Sequence, residues 1–439
     1  MKTITPAGSV FLYGYPHVAR HSTGVHDDLL CSALYLEHSG SGCLMLANDL
    51  IFVGRELAEQ VRTRINRRTG LPPSRIAICA THTHSGPVTV DYLSNRADPA
   101  VPKADPAYLE WLAKQIAEAG CEAVENARPA EIGLTTATVS GVGSNRHDPL
   151  GPTDDQALVL AVRPIGSEEL LASAIVYAMH PTVLHEDSTL LSSDFPHFTR
   201  EYLREAVGLS TSAPVLFLNG ASGNQSPRHT ARANTLAESR RLGHRLGECI
   251  AAAWPRLNFT SHSPISVVQS QIELDARELP SFAAAQRARE SAHQRLHALR
   301  LEHAPRALVR TAECDVFGAE ETCALVDSSL DGSLARAMAA CLPAEIQVFR
   351  IGETSLVFWP GEFFVEYALE IRSRFPHTHV VTLANGVLQG YIVTPAAATE
   401  GLYEAGNAIF AASNGRRFIE ATATLLTAPP ASHATVSRD

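Results

Sequence analysis

The sequence predicts an α/β fold: a large mixed-sheet core flanked by helices, with an inserted α+β subdomain. Three observations lead there. Short apolar runs alternate with longer helical patterns through the first half of the chain, the same rhythm resumes at Glu345, and the stretch between is more polar. In order, the apolar runs Leu29–Leu36 and Gly42–Leu46 read as strands, Phe52–Thr69 as a helix, Arg75–Ala80 as a strand and Pro106–Ala127 as a helix. Ile132–Val142, Ala157–Val162 and Leu171–Ala178 continue the strand pattern; Pro196–Val207 is helical, Pro214–Leu218 a compact strand and Ala231–Ala253 a helix rich in alanine, leucine and arginine. From Glu345 the strands IQVFR and SLVFW are followed by a helix over Glu362–Ser373 and a strand at VVTLA.

These elements divide the chain into residues 1–253, a first part of the core; 254–344, an inserted or peripheral segment; and 345–439, a second part of the core. Within the insert, SPISVVQSQIELDA precedes a charged helical stretch, Phe282–Leu301, and a mixed segment ending near Cys341, which together suit a solvent-exposed subdomain. Neither an internal repeat nor a low-complexity linker stands out, and the closing SHATVSRD reads as a frayed tail.

At 439 residues, 45% hydrophobic and 19% charged, the chain can bury a substantial core and is not a disordered polymer. Its formal charge of -10 argues against a general nucleic-acid binder. The first twenty residues carry no continuous apolar core of a secretory signal, and no later stretch is long and apolar enough for a membrane span. The 8 cysteines are scattered, several within apolar runs, which fits reduced core residues and a cytoplasmic protein better than a disulfide framework. No cysteine pair has zinc-knuckle spacing, so a metal would need histidine and oxygen ligands. No heptad or interface strand sets an oligomeric state.

Four segments could carry chemistry. In ATHTHSGP, His82 and His84 face one side if the backbone is extended, which suits a metal site but also paired packed or surface histidines. In YAMHPTVLHED, His180 follows an apolar strand and precedes a proline, while His185, Glu186 and Asp187 read as a solvated turn; Asp194 beyond them reads as a helix cap or a supporting carboxylate. In PVLFLNGASGNQSP a strand runs into glycine turns whose amides are free for a substrate oxygen or a supporting role, and neither Ser222 nor Ser226 sits in a nucleophile elbow. In FWPGEFFVEY, Glu362 falls at a helix start, either as a cap or as a carboxylate completing a histidine site. Tyr391 and Tyr403 read singly as core or rim residues, and Arg146 as a surface cation.

In combination these segments resemble the catalytic region of the neutral/alkaline non-lysosomal ceramidases. The resemblance rests on THTHSGP at 81–87, NR at 145–146, MHPT at 179–182, NGASGNQSP at 219–227, PGE at 360–362, and GY at 390–391 with a tyrosine twelve residues on. It implies Zn2+ as cofactor, with His82, His180, Glu362 and Tyr391 as its ligands, and His84, Arg146 and Tyr403 around the substrate carbonyl. It also implies hydrolysis of a linear amide by metal-activated water.

Departures bear on substrate. Pro87-Val88-Thr89 replaces a more glycine-rich loop, IVTPAAATEGL lacks the acidic-aromatic pattern of the family, and neither an export signal nor an immunoglobulin-like C-terminal domain is visible. An N-acyl amine or a small acylated metabolite is therefore as fitting a partner as ceramide. An ester or lactone hydrolase and a non-catalytic ligand-binding protein are the alternatives.

Overall fold

A computed structural model describes residues 1–15 and 17–429; SHATVSRD, expected to fray, lies outside them. Three four-stranded sheets share one plan: two antiparallel pairings followed by one parallel pairing. The first has β1 (Lys2–Thr3), β2 (Leu30–His38), β3 (Ser41–Asn48) and β4 (Ile76–Ala80), with α1 (Arg55–Thr69) carrying the chain from β3 to β4 and α2 (Pro106–Glu125) following. The second has β5 (Ala130–Thr138), β6 (Gln156–Pro164), β7 (Ala172–Tyr177) and β8 (Val215–Asn219), with α3 (Phe195–Val207) between β7 and β8 and α4 (Leu236–Ala253) after. The third has β9 (Ile265–Ile272), β10 (Ala344–Ile351), β11 (Thr354–Phe358) and β12 (Thr378–Val381).

Local chemistry explains the repeated order. A hairpin needs only a tight turn, and Ser39 and Gly40 supply one between β2 and β3 with φ of 53° and 78°. A parallel return needs a crossover, which α1 and α3 supply in the first two sheets. In the third, α8 (Val365–Arg374) does the same. The sequence shows no repeat because the plan is fixed by hydrogen bonding and period-two apolarity, which many residue choices satisfy.

The central strands of each sheet are buried on both faces. Along β3, Leu44 and Leu46 pack outward with Val61 and Ile116 of the helices, while Cys43, Met45 and Ala47 point inward. The inward residues of all three sheets, among them Met45, Cys79, Leu216, Phe349 and Phe358, form one central cluster. Truncating a buried phenylalanine such as Phe349 would cost about 3–5 kcal/mol. All eight cysteines are free, and burial pushes the thiols of Cys31 and Cys43 up to about 12, consistent with inert core residues.

The sheets are stitched together at one end. Beyond β12, Thr382 N–H donates to Asn219 O at the end of β8, and Asn385 N–H donates to Ile78 O in β4, both at 2.8 Å. Carboxyl ends of parallel strands from the three sheets therefore meet, the usual place for a site in α/β proteins.

Several elements differ from expectation in their bounds or their place. The first helix starts at Arg55, because Ile51, Phe52 and Val53 form a buried segment behind the site. Ile265–Ile272 lies within 254–344 but pairs with β10 along its whole length, so it is part of the third sheet. The remainder of that stretch is helical: α5 (Phe282–Leu301), α6 (Arg306–Leu330) and α7 (Ser333–Cys341). α5 and α6 run antiparallel, tied by Arg295–Asp315 and Arg300–Glu313 at 2.9 and 2.7 Å. After β12, α9 (Pro395–Glu400), α10 (Tyr403–Asn407) and α11 (Asn414–Thr427) close the described chain. Among the described residues no helix is long and apolar enough to cross a membrane.

Candidate metal centre

His82 sits two residues beyond β4, but the backbone there is not extended. Its φ is 75°, a left-handed conformation that costs a non-glycine residue about 1 kcal/mol or more. Its N–H donates to Leu50 O at 2.8 Å, which holds the turn. The rings of His82 and His84 do converge, 4.9 Å between centroids, through this turn and not through strand alternation. Gly14, at φ 122°, packs its backbone on the His84 ring where any Cβ would collide.

His180 follows β7 by three residues, and the glycine-rich segment is what orients it. Its Nδ1 lies 2.6 Å from Ser222 O and 3.1 Å from Gln225 O, and its N–H also donates to Gln225 O. Two of the amides in these turns are already used: Gly220 N–H donates to Tyr177 O and Gly223 N–H to Phe363 O. A Cβ at Gly223 would lie 2.7 Å from that Phe363 oxygen, so glycine is needed for the close approach. The segment clamps His180.

Glu362 does not cap a helix. It lies on a two-residue strand, Glu362–Phe363, whose parallel partner is Tyr391–Ile392, with Glu362 in register with Tyr391. The helix begins only at Val365. This pairing brings two distant candidates together without any local sequence signal.

The central geometry is an excess of acceptors. His82 Nδ1 is held by Ile51 O at 2.9 Å and His180 Nδ1 by Ser222 O, so both rings donate from Nδ1 and present an Nε2 lone pair. Both lone pairs meet the same oxygen: Glu362 Oε2 lies 3.1 Å from His82 Nε2 and 3.0 Å from His180 Nε2. His84 Nε2 stands 3.4 Å from His82 Nε2. His82, His180 and Glu362 are nearly inaccessible, and acceptors crowded in a dry site need a cation among them. Donors at about 2.05 Å from a tetrahedral ion are separated by roughly 3.3 Å, which matches this spacing. These residues fit a divalent metal ion, and the ligand atoms of His82, His84 and His180 also lie within 4.8 Å of one another.

The surrounding charges agree. Burial pushes His180 down to about 4, with Glu362 opposing and His82 adding to the shift. Burial, then His82 and His180, hold His84 well below its ordinary value. Burial would raise Glu362, and His82 and His180 pull it down. Tyr391 is raised well above 10 by burial and by Glu362, with Arg146 opposing.

Arg146 is no surface cation. Its Nε donates to Glu404 Oε1 at 2.6 Å, and its guanidinium stands 5.4 Å from the Tyr391 ring and 5.8 Å from that of Tyr403. His84, Tyr391 and Tyr403 line two cavities that meet at the histidines, an outer one of about 340 Å³ and an inner one of about 70 Å³. Asp194 stays apart from the histidines as a cap of α3: it accepts from Phe195 N–H, from Leu184 N–H at 2.8 Å and from Ser239 Oγ at 2.7 Å. Ser222 is buried, and Ser226 Oγ accepts from Arg228 N–H.

Several wall residues carried no sequence signal, notably Gly14, Tyr15 and Glu321. Arg306 and Arg310, one helical turn apart, offered a faint one. His185, read as a solvated turn, also lines the outer cavity. A second group, His26, Asp27 and His197, has its carboxylate already occupied by Ser192 Oγ, Ser193 N–H and His26 at 2.6, 2.9 and 2.8 Å.

No family model and no curated protein sequence matches the chain. In three dimensions it is similar to the neutral ceramidase from Pseudomonas aeruginosa, with a TM-score of 0.72 and 18% identity over 95% of this chain and 72% of that one. It is also similar to a ceramidase complexed with C2, with a TM-score of 0.73 and 17% identity over 98% of this chain and 75% of that one. The chain has the ceramidase fold.

Proposed function

We propose that this protein is a zinc-dependent hydrolase of linear amides, acting on an N-acyl amine or a small acylated metabolite. One observation carries the reading: His82, His180 and Glu362 crowd three acceptors around one point where two cavities meet. The ceramidase fold supports it, and two imidazoles with a carboxylate suit zinc.

His82, His180 and Glu362 would hold the ion, and Tyr391, in register with Glu362, is the candidate for a further ligand. Zinc, when bound, supplies Lewis acidity and makes water a nucleophile near neutral pH. The chain's own residues do the rest. Arg146, fixed by Glu404, and the Tyr403 hydroxyl line the cavity beside the metal centre and offer donors to the carbonyl oxygen as it gains charge. His84, whose Nε2 stands 3.4 Å from His82 Nε2, is the candidate to pass a proton to the departing nitrogen. His82, His180 and Glu362 are buried, and the low dielectric around them strengthens electrostatic interactions at the centre.

The test is elemental analysis of protein purified without chelator, followed by rates on matched amide and ester substrates. Near-stoichiometric zinc with amide cleavage is expected. Persistent absence of metal, or cleavage of esters alone, overturns the reading.

A further inference from the structure

The outer cavity is cationic in a protein whose net charge is -10. Arg146, Arg228, Arg306 and Arg310 lie in its wall, and among the described residues no aspartate or glutamate does. Arg146 is neutralised by Glu404, and Arg310 is shared between Glu313 at 3.0 Å and Glu186 at 3.4 Å. The other two are different. Arg228 reaches only Arg146 O, Thr311 Oγ1 and Cys314 Sγ, and Arg306 only Asn234 Oδ1; neither has a carboxylate within ion-pair distance among the described residues. The wall responds to this field. His185 is pushed down to about 3, first by burial and then by Arg310, Arg306, Arg20 and Arg228.

The cavity wall also contains no leucine, isoleucine, valine or methionine among the described residues, so it offers no aliphatic track for a long acyl chain. The inner cavity does have apolar and aromatic walls, from Ile51, Phe52, Tyr92 and Val101, but at about 70 Å³ it has room for a short group only. Its size suits a small acyl unit, and the larger polar cavity suits the amine portion.

Resting on the amide-hydrolase reading, we infer that the substrate is a short-chain N-acyl compound whose amine portion bears a carboxylate or phosphate, which Arg228 and Arg306 bind in the outer cavity. Two guanidiniums without carboxylate partners, Arg228 half-buried and Arg306 exposed at the rim of a concave wall, give the bidentate recognition such groups require. Focusing by the cavity raises the local concentration of anions despite the acidic surface.

The test uses zinc-loaded full-length protein and four short amides: N-acetylglycine, N-acetylglycinamide, N-acetylethanolamine phosphate and N-acetylethanolamine. Each anionic amide is expected to exceed its neutral counterpart in kcat/KM by about tenfold or more, and the preferred anion tells carboxylate from phosphate. In the Arg228→Gln/Arg306→Gln variant that ratio should fall toward one through KM, with Tm and zinc content retained. Equal rates on charged and neutral amides, or an unchanged ratio in the variant, overturn the inference. Calorimetric binding of N-acetylglycine and of inorganic phosphate keeps the two readings separable. If no amide is cleaved but both ligands bind the wild type and at least one binds the variant about tenfold more weakly, the hydrolase reading fails and the anion site stands. If neither ligand binds, the anion site fails.

Discussion

The metal-facing residues and two of the four cavity arginines, Arg306 and Arg310, come from different parts of the chain, whereas Arg146 and Arg228 belong to the core. His82, His180 and Glu362 stand just beyond strands of the three-sheet core, and all three are buried. Arg306 and Arg310 stand at the start of α6 in the helical insert, where neighbouring residues are mostly exposed. The contrast separates two requirements. Ligand placement needs side chains locked to tenths of an ångström, which packed sheets provide, whereas substrate choice needs a wall that can vary without disturbing those sheets. α6 therefore reaches the outer cavity through Arg306, Arg310 and Phe317 without supplying any of the three central acceptors.

The sharpest way to break this comparison is at the core side. His180→Ala removes one of the acceptors that would hold the ion; metal affinity should fall by about 1,000-fold while circular dichroism stays native. Full occupancy in that variant would mean that the core does not define the site.

Acid should also act on the core first. His379 on β12 is buried and pushed down to about 4, mainly by burial and then by Arg372. In the unfolded chain an ordinary histidine takes up a proton near 6.5, so between pH 6.5 and 4 the unfolded state binds more protons and stability falls with pH. This group alone contributes a loss of up to about 3 kcal/mol at pH 4. Denaturant melts of wild type and His379→Gln should show a shallower pH slope in the variant; parallel slopes would exclude His379 as the origin.

Gly14→Ala tests how tightly the histidines are seated. The added methyl meets the His84 ring at a backbone angle that alanine resists, so turnover should drop by about tenfold with metal content retained. Loss of zinc instead would give His84 a larger share of metal binding. The smallest effect belongs to the insert: Arg295→Ala breaks an exposed pair with Asp315 and should change stability by less than about 1 kcal/mol. A larger change would show that the helical pair is bound more firmly to the core than its surface contacts suggest.

The legibility of the sequence followed the same divide. Core strands were readable because burial on both faces leaves near-continuous apolar runs, as at GCLML and VLFLN. His82, His84 and His180 were readable because histidines beside turn-forming proline or glycine at strand ends are uncommon without a purpose. Glu362 was found, but its strand pairing with Tyr391 was not, since a two-residue strand has no period. Arg306 and Arg310 were passed over because charged residues in a polar helix look like ordinary solvated surface, and nothing local says that one face of the helix closes a cavity. The shared plan of the three sheets was invisible because topology leaves no residue-level signature.

That plan places His82 after the first sheet's last strand, His180 after the second sheet's third and Glu362 after the third sheet's third. An ion seated among them would fasten all three thirds of the polypeptide at a single knot, across 280 positions between His82 and Glu362 (362 − 82). Chelation should then do more than silence chemistry: the entire polypeptide would lose the free energy of ligation at once, and its melting would become a readout of metal supply.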